Sequence, residues 1–73
     1  MWNPISHNDF LTLFDFDKVV AVQGKTVLSK ELLDGTHIIE YNAVYWNHKQ
    51  SNQPFLSVII IEGRVYYYQW EDA

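Results

Sequence analysis

Phe55-Leu-Ser-Val-Ile-Ile-Ile-Glu-Gly-Arg-Val-Tyr-Tyr-Tyr-Gln-Trp-Glu-Asp-Ala73 carries more apolar and aromatic side chains than one sheet face needs. Glu62-Gly63 marks a two-residue turn, since glycine takes a positive φ at little cost. That turn sets Ile61 opposite Arg64, Ile60 opposite Val65, Ile59 opposite Tyr66 and Val58 opposite Tyr67. Side chains alternate along a strand, so Leu56, Val58, Ile60, Val65 and Tyr67 share one face. Phe55, Ser57, Ile59, Ile61, Tyr66, Tyr68 and Trp70 share the other, with Arg64. Both faces are apolar, as in a strand pair covered twice. The expectation is that a helix of this chain covers the Val58 face. For the Ile59 face, either the sheet curls into a small barrel or sandwich, or a partner covers it.

The rest of the chain supplies the helix and more strands. Pro4 suits a helix entrance, and residues 6 to 16 read as a short helix with Ser6 as N-cap and Asp9 three residues on. Phe10, Leu13 and Phe14 form its apolar stripe. A helix of this length is marginal alone and must dock. Val19-Val-Ala-Val22 reads as a strand, and Gly24-Lys25 as a turn into Thr26-Val-Leu28. Residues 29–35 fit either a helical turn between Ser29 and Gly35 or a hairpin at Asp34-Gly35. Thr36 to His48 reads as a long strand, with His37, Ile39, Tyr41, Ala43 and Tyr45 toward the core. Residues 49–54 form a polar loop, and Pro54 starts the next strand, where its missing N–H does least harm. The expected fold is one α+β domain over residues 1–73: a short N-terminal helix on a mainly antiparallel sheet of four or five strands. A small SH3-like barrel is the alternative.

Composition narrows the function classes. A domain of 73 residues without cysteine has no disulfide or thiolate zinc site to support a small core. Typical values per residue put its stability at roughly 4–11 kcal/mol. Three Trp, five Tyr and four Phe supply the dense packing such a chain relies on. Five basic residues against nine acidic give a formal charge of −4, and Arg64 is the sole arginine. Duplex nucleic acid is disfavoured, because phosphates call for several basic side chains. The run Val58 to Ile61 is too short to span a bilayer, and Met1-Trp-Asn-Pro-Ile-Ser lacks the features of a signal peptide. These point to a soluble cytoplasmic chain with no membrane contact.

Catalytic motifs are weak. His7, His37 and His48 lack metal-ligand spacing. Ser6, Ser29, Ser51 and Ser57 lie outside any Gly-x-Ser-x-Gly elbow. Gly24, Gly35 and Gly63 read as turns rather than phosphate loops, so neither a cofactor nor a metal is expected. The leading expectation is a non-enzymatic protein-binding module: an adaptor, inhibitor or regulatory protein. Small acidic chains of this kind are common among phage and mobile-element proteins that block a host factor. The candidate partner-binding residues are Tyr66, Tyr68, Trp70, Arg64, Ile59 and Trp46, since Tyr and Trp join large apolar bodies to polar tips. The edge of the last strand is a further candidate. Asp15 and Asp17, around Phe16, would meet a basic partner surface and speed encounter. A homodimer through the same face is a close variant. The alternative is a platform of Trp46, Tyr66 and Tyr68 that stacks on a small ligand or single-stranded nucleic acid.

Overall fold

The computed structural model describes residues 1–28 and 39–72. Its elements are β1 (Trp2–Ile5), α1 (His7–Leu13), β2 (Val19–Leu28), β3 (Ile39–His48), β4 (Pro54–Ile61) and β5 (Arg64–Trp70). The strands pair antiparallel in the order β1-β5-β4-β3-β2. Among the described residues one short helix packs on an open antiparallel sheet, which makes the fold α+β, as expected, and the SH3-like barrel is not formed.

The C-terminal hairpin has the expected turn and register. Glu62 and Gly63 take φ of 51° and 78°. Positive φ at both central residues matches the right-handed twist of the flanking strands. Ile61 then faces Arg64, and Val58 faces Tyr67. Pro54 opens β4, as its missing donor predicts.

Four expectations need correction. First, β5 has no free edge, because β1 pairs along it from Trp2↔Trp70 to Ile5↔Tyr67. Pro4 sits in this strand rather than at a helix entrance. An edge strand tolerates proline because only one side of it is hydrogen-bonded. Second, Gly24-Lys25 is no turn. β2 runs unbroken from Val19 to Leu28 against β3, and Gly24 lies beneath the Tyr45 ring. A Cβ at Gly24 would stand 3.2 Å from Tyr45 Cε1, so the glycine makes room for an aromatic ring. Third, α1 is shorter than residues 6 to 16. Ser6 Oγ accepts from Asp9 N at 3.1 Å, the expected cap, but Phe14 is already extended at φ −77° and ψ 124°. The alternatives for 29–35, and the start of the long strand at Thr36, lie outside the described residues.

Fourth, the two faces are covered in a different way from the one expected. Trp2, Leu28, Ile59 and Tyr68 form the buried core cluster, with Tyr41, Ala43, Tyr45, Ile61, Tyr66 and Trp70 packed against it. Trp2 lies on one edge strand and Leu28 on the other, so the sheet curls around the Ile59 face. Hydroxyls share that interior: Thr26 Oγ1 and Ser57 Oγ are 3.3 Å apart, each giving the other a partner away from water. Of the two alternatives for that face, a curled sheet or a partner, the sheet itself supplies most of the cover, without closing into a barrel.

Helix α1 packs on the opposite face, as expected, but only on part of it. Phe10 meets Tyr67 at 4.9 Å and Trp46 at 5.7 Å between ring centroids, and Phe14 meets Trp46 at 5.1 Å. Seven helical residues span about 10 Å. Five strands span about 19 Å from first to last. The helix is too short for the face it covers.

Candidate functional site

The uncovered part of the helix-side face leaves an apolar surface open across three strands. Val44 on β3, Ile60 on β4 and Val65 on β5 are 38%, 67% and 48% exposed, and half-buried Val58 lies among them. Ile60 and Val65 are cross-strand partners, and so are Val44 and Val58. Local geometry opens this surface further. The β3–β4 ladder runs from Asn47↔Pro54 through an irregularity at Trp46/Asn47 to Val44↔Val58 and stops there. Beyond that pair the facing backbones of β3 and β4 lie outside the ladder. The groove at this point is walled by Val44, Val58 and Ile60, with Ala43 and Ile59 beneath, and Gln23 and Lys25 at its β2 lip. Trp46 forms its end, so α1 and the groove share one aromatic ring.

Charge is balanced at the β2 lip. Lys25 Nζ lies 3.5 Å from Glu40 Oε2, with both side chains more than half exposed. An exposed pair of this kind contributes little to stability. It does leave the groove without an unpaired charge on that side.

The sequence-derived candidates divide between the two faces. Tyr68 and Ile59 are 0% and 2% exposed, so both are core residues and offer no surface to a partner. Tyr66 and Trp70 are half-buried against the same core, and Trp2 stacks edge-on against Trp70 at 5.3 Å. Arg64 is exposed at the hairpin tip. Trp46 is half-buried on the opposite face. Trp46, Tyr66 and Tyr68 therefore do not form one stacking platform. Asp15 and Asp17 form a local turn: Asp17 N donates to Asp15 Oδ1 at 2.9 Å, and Asp15 Oδ2 lies 4.0 Å from Lys18 Nζ. Phe16 between them is 81% exposed, with its ring edge-on to Phe14 at 4.7 Å.

The groove residues Val44, Val58, Ile60 and Val65 were not among the candidates. Their signal was present in the sequence. Alternation puts them on the helix-side face, and a helix of two turns is shorter than that face is wide.

The polar side chains are dispersed. His7 stacks on Tyr67 at 5.0 Å and His48 on Phe55 at 4.0 Å, while His37 lies outside the described residues. No three His, Cys, Asp or Glu side chains gather among the described residues. Ser57 is buried beside Thr26, and Ser6 caps α1. Burial raises the Tyr68 hydroxyl pKa above 10.0, with Tyr66 and Tyr41 adding to the effect. Its oxygen has no hydrogen-bond partner among the described residues. The groove offers apolar contact and backbone hydrogen bonding.

No family model, no characterised protein and no solved structure matches this chain. Among the described residues no helix is long and apolar enough to cross a membrane.

Proposed function

We propose that this chain is a small, non-enzymatic protein-binding module that takes an extended apolar segment of another protein into the β3–β4 groove. The observation that carries this reading is the exposure of Val44, Ile60 and Val65 on three adjacent strands. Exposed aliphatic clusters rimmed by polar residues mark interaction sites on soluble domains. The end of the β3–β4 ladder at Val44↔Val58 selects the kind of partner. Backbone edges outside a ladder are matched by a polypeptide, which donates and accepts at regular intervals. The chain's net charge of −4 favours a segment with basic flanks and would speed its encounter. Adaptor, inhibitor and regulatory roles all use such a surface.

The test compares wild type with Ile60→Lys as immobilised bait in lysate of the native host, alongside binding of an apolar fluorescent dye. Ile60 is largely exposed, so the lysine leaves the fold intact. A protein held by wild type and by Arg64→Ala, but lost with Ile60→Lys together with the dye signal, supports the reading. Retention of the same proteins by all three baits contradicts it.

A further inference from the structure

The two edges of the sheet are built differently. β1 is four residues long and contains Pro4, two of the devices by which an edge strand refuses further pairing. β2 has neither. It runs ten residues from Val19 to Leu28 in unbroken register with β3, without proline or bulge. Its one charge, Lys25, is held by Glu40 of the neighbouring strand. Val20 and Val27 are 47% and 46% exposed, and Ala21 and Gln23 are exposed as well. Among the described residues no strand pairs with the outer side of β2. A long, regular, mostly apolar edge is a template for another strand.

We propose that β2 pairs antiparallel with β2 of a second copy of this chain, joining two sheets across a two-fold axis. The contrast between the edges selects this occupant. Pairing β2 onto β1 of the next copy would propagate into a fibre, and Pro4 with the short β1 opposes it. Pairing β2 onto β2 uses the unprotected edge of both copies and closes at two chains. The axis stands perpendicular to the sheet, so the open grooves of both copies lie on the same side. Gln23 and Lys25, at the lip of each groove, then stand at the junction. This edge is distinct from the groove floor, and the dimer does not depend on the groove having a partner.

Directly opposed residues of an antiparallel pair lie on the same face. In a two-fold pair centred on Gly24 or on Gln23, the second copy's Lys25 therefore opposes position 23 or position 21. Like charges set directly opposite destabilise a pair, and opposite charges support it. The test is sedimentation of the full chain over a range of concentrations for wild type and the single variants Ala21→Lys, Ala21→Glu, Gln23→Lys and Gln23→Glu, with circular dichroism on each. The inference expects a wild-type dimer that dissociates on dilution and, at whichever of the two positions opposes Lys25, loss of that dimer with lysine and its retention with glutamate. The lysine and glutamate variants of a position alter the same exposed residue, so a general effect on folding would move them together. A wild type that is monomeric at every concentration overturns the inference. So does the absence of that lysine-against-glutamate difference at both positions.

Discussion

The Trp2 and Tyr45 rings meet edge to face with centroids 6.1 Å apart and planes at 65°, although β5 and β4 lie between their strands. On a flat sheet three strand spacings would separate them by about 14 Å. The contact therefore records how far the sheet curls, and the curl is what buries Ile59 and Tyr68. Trp2→Ala removes this contact and the one to Trp70. It is expected to cost about 3–5 kcal/mol, as large aromatic truncations in cores do. Urea denaturation checks this, with much of the variant unfolded before denaturant is added.

Gly24 keeps Tyr45 in place for that contact. Gly24→Val puts atoms where the ring lies and is expected to destabilise by about 1–3 kcal/mol. Because the clash is with Tyr45, the double variant Gly24→Val/Tyr45→Ala should lose less than the two single losses combined. A double-mutant cycle in urea measures this coupling.

The Tyr68 hydroxyl is buried without a partner among the described residues. Tyr68→Phe removes a polar group rather than a contact, and is expected to stabilise by about 1–3 kcal/mol, the usual penalty for an unsatisfied buried group. Its pH dependence has a definite sign. The folded-state pKa lies above 10.0, mainly through burial. Below pH 10 both states keep the proton and stability is unchanged; as pH rises from there through the folded value, the unfolded chain ionises first and stability is lost. Wild type should therefore lose stability in alkali more steeply than Tyr68→Phe, as thermal melts from neutral to alkaline pH would record.

Glu62 sits at φ 51° in the hairpin turn. That region is costly for most L-residues and easier for asparagine. Glu62→Asn is expected to raise stability by about 1 kcal/mol. Gly63→Ala, at φ 78°, should lower it by a similar amount or more, though nothing obstructs the added methyl. Both are read from denaturation midpoints.

Much of this fold was legible because its signals are local. Glu62-Gly63 specifies its own turn, alternation along β3 sets Tyr41 and Tyr45 on one face, and Ser6 caps the helix it precedes. Residues whose role depends on a distant neighbour are not legible in this way. Pro4 looks like a helix entrance until Tyr68 is known to lie beside it on β5. Gly24 looks like a turn until the Tyr45 ring is placed over it. Alternation also says which side chains share a face, but not which face the sheet curls around. Alternation alone therefore leaves the face of Tyr68 and Ile59 to a curled sheet or a partner, and gives the face of Ile60 and Val65 to the helix. The curl and the length of α1 decide that question, and both are tertiary facts.

The exchange between those two faces is the central claim, and urea denaturation of Tyr68→Ala beside Ile60→Lys tests it most directly. Tyr68→Ala should lose about 3 kcal/mol or more as a core truncation, while Ile60→Lys should stay within about 0.5 kcal/mol of wild type as a surface change. A stable Tyr68→Ala together with an unfolded Ile60→Lys would contradict the account.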